Sequence, residues 1–328
     1  MRDVICSIII AARNEESYIE RCIESLENQS YDRRKYEIIV VEGMSEDNTF
    51  KIVEVLKSKY NNIILLRNSR KIAPVAFNTG IKESAGRYVF IVGAHAEYPS
   101  DFIEKSISGI KENNVDCVGG RIINIGRSKL GKVFSTVRNT AFGGGLSPYR
   151  YSDKKRFVNT VAFGCYSRDI LDRVGGFNED FVRNHDNDLN KRIIQAGGKI
   201  LFEPEIKFYY FTRNSLKDIL RQMFSYGFWE AKLIKKHKEQ LAITTLIPML
   251  FVLYTIFAVA ILIFRRTIIP LLLELVPYLT VFAYFAIKAV VSKKQSIIVA
   301  LFLYILIHFC IGIGFISGLM DINNIRQR

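Results

Sequence analysis

A chain of 328 residues with 46 Lys+Arg against 32 Asp+Glu carries a net charge of +14, and it is long enough for one large domain plus an appendage or for two domains. Its five cysteines (Cys6, Cys22, Cys117, Cys165, Cys310) include no CxxC pair, which argues against a zinc site or disulfide framework and for a reducing compartment. The basic balance suits an anionic membrane surface or a phosphorylated substrate; with no zinc-ligand spacing and no RNA-binding aromatic signature, nucleic acid is not an expected partner.

In chain order, strand-like and helix-like periods alternate. Val4–Ala12 is a β-rich run, and its apolar stretch, Ile8 to Ala12, is too short for a signal-peptide core and leads at once into Arg13-Asn14-Glu15-Glu16. Glu15–Asn28 places Tyr18, Ile19, Cys22, Ile23 and Leu26 on one helical face. Strands are predicted at Tyr36–Val41, Asn62–Leu66 and Arg87–Val92, and helices at Asp47–Lys59 and Val75–Ser84. Such alternation predicts an α/β domain with a mostly parallel sheet covered by helices, in which ligands gather at the carboxyl ends of strands. Polar clusters fall at those ends: Arg13-Asn14-Glu15, Glu42 to Asp47, and His95 to Glu97. The first strand–helix turn contains no glycine, and no GxxxxGK[ST] run exists, so neither a dinucleotide fingerprint nor a phosphate loop is present. A bound nucleotide must therefore be held by polar side chains at strand ends.

Further along, Gly143-Gly144-Gly145 through Arg150 reads as a loop over an acceptor or as a plain linker. The aromatic-basic stretch Phe224, Tyr226, Phe228, Trp229 with Arg221 and Lys232 reads as an interfacial helix. Residues 231–240 form a basic juxtamembrane segment. Three predicted transmembrane helices follow within 241–328, at 241–264, 268–291 and 296–320, since crossing a hydrocarbon core about 30 Å thick takes roughly 20 apolar residues. The second carries Pro270, Glu274, Pro277 and Lys288. Lysines before the first span and Lys293-Lys294 after the second outnumber Arg265-Arg266, which predicts a multi-pass protein with a cytoplasmic domain at 1–230 and an external C-terminus.

The residues at the strand ends resemble the inverting glycosyltransferases of family 2, which have a GT-A fold. The likeness rests on Ser7 through Glu16, Val40 through Thr49, Ala76 through Ile81 with Ala85-Gly86-Arg87-Tyr88, Val92 to Pro99, and Gly175 through Arg192, five segments in the family's order. Ala94-His95-Ala96 with Tyr98-Pro99, Asn184-His185-Asp186 and Arg221-Gln222 with Tyr226-Gly227 resemble the succinoglycan-synthesis type within that family. The resemblance implies a GT-A domain over 1–230 that transfers a sugar from a nucleotide-sugar donor, with a polyprenyl-phosphate-linked glycan as acceptor and a cell-membrane location. It implies donor contacts at Ala11, Arg13, Glu15, Glu42, Asn78, Gly93, Ala94, His95, Arg70 and Arg221, and a base at Asp186. A carboxylate at Glu42 can accept from a nucleobase or ribose, or it can cap the helix that follows. Asp186 likewise can deprotonate the acceptor hydroxyl or cap its helix; Asp188 points roughly 200° away and takes another part.

The family holds a divalent cation, Mn2+ or Mg2+, on an Asp-x-Asp motif, and here that triplet is Gly93-Ala94-His95. The expected protein ligands are then His95 and Glu97, with Arg70, Lys71 or Arg221 able to neutralise the diphosphate directly if no metal is needed. The rival expectation is a non-catalytic nucleotide-sugar-binding or partner-binding membrane protein that kept the fold.

Overall fold

A computed structural model describes residues 4–145, 147–237, 243–291 and 293–320. The chain forms two compact units. The first comprises residues 1–123 and 147–211, and the second 124–146 and 212–328. This replaces the single boundary expected at residue 230: residues 124–146 and 212–230 join the helical unit instead of the α/β unit.

In the first unit, β1 (Cys6–Ala12), β2 (Tyr36–Glu42), β3 (Ile63–Arg67) and β4 (Tyr88–Gly93) pair in parallel in the order β3-β2-β1-β4. Their helical connections are α1 (Ile19–Glu27), α2 (Thr49–Lys59) and α3 (Ala73–Glu83). The Ile8-Ile9-Ile10 run has no polar alternation because both sheet faces are covered, as parallel crossovers require. Ile8 and Ile10 pack with Ile19, Cys22 and Ile23 of α1, while Ile9 packs with Ala76 and Phe77 of α3. A Cβ on Gly80 would collide with Ile9, so glycine lets α3 seat closely on β1.

Beyond β4 the sheet turns antiparallel. It continues through β8 (Cys165–Ser167), β6 (Cys117–Ile125), β9 (Ile200–Phe211) and β5 (Ala96–Glu97), with β7 (Arg156–Phe157) also on β9 and the helix α4 (Phe102–Asn113) between β5 and β6 in the chain. The short α6 (Arg168–Val174) ends on Gly175, whose φ of 77° lies in the left-handed region glycine favours. It is followed by α7 (His185–Gln195).

The second unit consists of α5 (Lys129–Arg138), α8 (Leu216–His237), α9 (Ile243–Arg265), α10 (Ile269–Val290) and α11 (Ile297–Met320). Its core joins Val133, Phe134 and Val137 of α5 to Ile219 and Met223 of α8, with Phe282, Tyr304 and Ile307 from the apolar helices. Three stretches are long and apolar enough to cross a membrane: Thr245–Arg265, Ile269–Val290 and Ile297–Met320. Glu274 is buried on α10, and both its oxygens lie 3.0 Å from the Thr255 hydroxyl of α9. His308 is buried against Phe142 and Phe282, with Nδ1 2.9 Å from the Tyr304 carbonyl oxygen.

Candidate active site

The register Ala12↔Glu42 and Ala11↔Gly93 brings the carboxyl ends of β1, β2 and β4 side by side. The two loops leaving β1 and β2 are laced together. The Gly43 amide donates to the Ala12 carbonyl oxygen at 2.8 Å, and Asn14, at φ 55°, donates its amide to Ser45 Oγ and accepts from the Glu46 amide. The Glu15 amide donates to Thr49 Oγ1, and Asp47 accepts from the Thr49 and Glu16 amides. Arg13 faces Glu46 at 3.8 Å, and Ala11 is half-buried.

Glu42 is fully buried. Its oxygens accept from the Met44 amide (3.1 Å), the Ser45 amide (2.5 Å) and Arg67 (3.0 Å). The carboxylate expected at the nucleoside is therefore buried and bonded to its own loop and to Arg67 of β3, and it positions the turn. Arg67 in turn lies over the Phe50 ring, 3.6 Å from its centroid. Asn78 is committed in the same way. Its Oδ1 accepts from the Phe177 amide at 2.8 Å, and its Nδ2 donates to the Phe177 carbonyl and to Glu179. Instead of offering free polar atoms to a donor, Asn78 tethers the Gly176–Glu179 turn. Arg70 pairs with Glu179 on that turn.

The end of β4 explains the missing aspartate. The Tyr98 hydroxyl receives the Gly93 amide at 2.8 Å and donates to the Gly93 carbonyl, while a Cβ at Gly93 would lie 2.9 Å from Cζ of Phe163. The volume of a side chain at 93 is filled by an aromatic ring that also stacks on Tyr210. Gly93→Asp is therefore expected to cost about 1–3 kcal/mol as an overpacking change, read as a lower melting temperature, and to be relieved in combination with Phe163→Ala. Ala94 is buried, which leaves His95 as the side chain of that triplet at the edge.

His95 Nδ1 lies 2.9 Å from Glu15 Oε1, and its ring meets Tyr210 edge-on at 4.6 Å. A carboxylate only accepts, so Nδ1 carries a proton, and in the neutral imidazole the lone pair is then on Nε2. Nε2 is buried and has no hydrogen-bond partner. Glu97, expected beside His95 as a second ligand, instead pairs with Arg21 at 3.0 Å, so the carboxylate joined to His95 is Glu15. Among the described residues no three His, Cys, Asp or Glu side chains converge as a metal cage. The pattern fits a single imidazole ligand oriented by a carboxylate, which suits a cation carried largely by the donor's own phosphates.

α7 carries the residue expected as base. A chain of contacts ties it to the β4 end: Phe163 on Gly93, the Gly164 carbonyl accepting from the Ile91 amide at 3.0 Å, and Thr160 donating to Asn187 at 2.6 Å. Asn190 adds bonds to Thr160 and to the Val161 carbonyl. The helix starts from Asn184 at φ 56°. Asp186, in the first turn, is half-buried and accepts from the Asn187 amide at 2.9 Å. Asp188 is fully buried against Arg192, which donates onward to the Val174 and Gly176 carbonyls.

Thr160 and Phe163 stand in none of the motifs, and the motifs did not show the roles of Tyr98, of Asn190 or of the Asp188–Arg192 pair. Only the last carried a local signal, its i,i+4 spacing. His185 is held between Phe77 and Phe177, and burial lowers its pKa from 6.5. The unfolded chain then binds the extra proton first, so stability conferred by this site is expected to fall as pH drops below 6.5, measurable as a falling denaturation midpoint. Arg221, expected at the donor, lies exposed on α8 in the second unit.

Residues 7–175 match the family model described as glycosyl transferase family 2. A dolichyl N-acetyl-alpha-D-glucosaminyl phosphate 3-beta-D-2,3-diacetamido-2,3-dideoxy-beta-D-glucuronosyltransferase from Methanococcus voltae is 31% identical over 97% of this chain and 98% of its own. The succinoglycan biosynthesis protein ExoA from Rhizobium meliloti is 26% identical over 74% of each. In fold, the chain is similar to a mannosyltransferase from Pyrobaculum calidifontis solved with GDP-Man and Mn2+, at a TM-score of 0.62 and 16% identity, covering 97% of this chain and 88% of that one. A family match over half the chain, a full-length relative and a sheet whose strand ends bear the family's segments converge on one assignment: the chain belongs to glycosyltransferase family 2 and is a glycosyltransferase of GT-A fold with apolar C-terminal helices.

Proposed function

We propose that the enzyme is a multi-pass membrane protein whose catalytic unit faces the cytoplasm, and that it moves a sugar with inversion from a nucleotide-sugar to a lipid-linked glycan, in practice a polyprenyl-phosphate-linked one, during cell-surface glycan synthesis. The observation that carries this reading is the tie between α7 and the β4 edge through Thr160 and Phe163, which supports Asp186 and His95 serving one reaction. The name of the full-length relative, with its dolichyl-phosphate-linked sugar, and the apolar helices support the lipid acceptor.

Asp186 takes the proton of the acceptor hydroxyl. The oxygen then bonds to the anomeric carbon from the face opposite the diphosphate, the carbon–oxygen bond to the diphosphate breaks, and the nucleoside diphosphate leaves. The loops carrying Ala11, Arg13, Glu15, Gly93 and Ala94 line the donor, Glu42 and Asn78 hold their turns, and Arg70 supplies positive charge for the diphosphate. A divalent cation, Mn2+ or Mg2+, bound by His95 would neutralise charge on the leaving group. Glu15 orients His95 for this part, and Glu97 serves Arg21.

The test is nucleotide release by the purified full chain from a panel of UDP-, GDP- and dTDP-sugars, with polyprenyl-phosphate-linked acceptors, with and without Mn2+. Release that depends on the lipid-linked acceptor is the expected result. Donor binding without release in every combination would overturn it. Glu15→Ala is expected to weaken the Mn2+ dependence about 10- to 100-fold by freeing the His95 tautomer, measured as the Mn2+ concentration needed for half-maximal release.

A further inference from the structure

The second unit contains three helices apolar enough to cross a bilayer, yet the partners of the third are unlike those of a crossing helix. α8 runs alongside α11 in the same direction. A Cβ on Gly227 would collide with the Ile311 carbonyl oxygen, one on Gly314 with that of Phe224, and one on Gly318 with that of Phe228. The contact ends where Lys235 Nζ donates to the Leu319 carbonyl. Backbone-to-backbone approach of this kind fixes the pairing by shape, since only glycine leaves room for it.

α8 itself cannot enter the hydrocarbon. It carries Lys217, Asp218, Arg221, Glu230, Lys232, Lys235 and Lys236 in 22 residues, and it precedes the first apolar span in the chain. The first half of α11 is flanked in turn by α5 and the segment after it. Gln295, just before α11, donates to the Lys132 carbonyl, Thr140 bonds the Tyr304 hydroxyl at 2.9 Å, and Phe142 packs on Tyr304 and His308. α5 and the segment after it thus lie beside the first half of α11, and α8 beside its second half.

The levels of the helices agree. A Cβ on Gly312 would meet the Pro248 carbonyl, and Phe309 packs on Phe251 at 5.0 Å, so the second half of α11 lies beside the opening turns of α9. Leu319 reaches Lys235, eight residues before α9 begins. The far end of α11 is therefore level with the entrance of the first span.

The most exposed apolar side chains of α11 form one stripe, with the less exposed Ile297 and Leu319 beside it. Ile298, Phe302, Ile313 and Met320 are exposed, and at 100° per residue they fall within about 60° of one another. We propose that α11 does not cross the bilayer. It lies in the leaflet from which α9 sets out, with this stripe in the acyl chains and α8 as its polar backing. The chain then crosses twice, through α9 and α10, and Met320 ends on the side where α9 begins. This revises the external C-terminus expected from three spans.

The test uses the full chain in sealed membrane vesicles, with Cys310→Ala as background and single cysteines at Glu54, Arg265 and Met320. An impermeant maleimide is expected to label Met320→Cys and Glu54→Cys from the same face, and Arg265→Cys from the other, with at least about tenfold selectivity. Labelling of Met320→Cys together with Arg265→Cys would overturn the proposal. Because labelling reports only accessible sites, a second arm pairs Lys235→Cys with Leu319→Cys in the same membranes. A short bismaleimide is expected to join them, and failure to do so in protein that still binds donor would also overturn it.

Discussion

Asp186→Asn is expected to reduce turnover by about 10²- to 10⁴-fold, the range contributed by a positioned general base, with donor affinity nearly unchanged. The substitution keeps the side-chain volume and can keep the bond from the Asn187 amide, so α7 keeps its start. What it removes is the ability to accept a proton from the acceptor hydroxyl. Single-turnover nucleotide release, compared with equilibrium donor binding, separates the two effects. If release survived at the parental rate, the base would have to be sought elsewhere, and Asp188 is not available: it is buried and bound to Arg192.

The largest effect on stability is expected at that neighbour. Asp188→Asn leaves the Arg192 guanidinium without its carboxylate inside a turn where it also holds the Val174 and Gly176 carbonyls. Removing one member of a buried pair strands the other charge, and the expected loss is about 3 kcal/mol. It should appear as a reduced denaturation midpoint. Because Gly176 sits against Asn78 and begins the turn leading to α7, activity should fall with it even below the unfolding transition. Arg192→Ala in the Asp188→Asn background should recover part of the stability, since it removes the stranded charge.

Much of the α/β half was legible from hydrophobic periodicity. The parallel strands β1 to β4 follow from continuous apolar runs of the right length, and the helices between them follow from one-sided apolar spacing. The antiparallel half was not. β5, β7 and β8 are only two or three residues long, too short to show any period. The assignment of residues 124–146 to the helical unit was equally hidden, because α5 buries its apolar face against helices more than 80 residues away in the chain.

For the candidate site, local order pointed to which turns matter but not to what each side chain does there. Glu42 and Asn78 stand in the family's segments as donor contacts, yet both spend their polar atoms on backbone and side chains far along the chain or across the turn. Glu15 was named for the donor, and its bond to His95 needed the β1 and β4 ends to meet across 80 residues. Nor could any one-dimensional pattern show that Phe163 fills the space where the family's aspartate would stand.

By itself, the order of residues determined the alternating layout, the positions of the apolar helices, and the family, since these depend on local period, length and short motifs. Only the tertiary structure decided which carboxylate orients His95, why residue 93 is glycine, and that α8 lies beside the second half of α11. Each of these depends on the distance and volume between groups remote in the chain, and those quantities come into being when the chain packs.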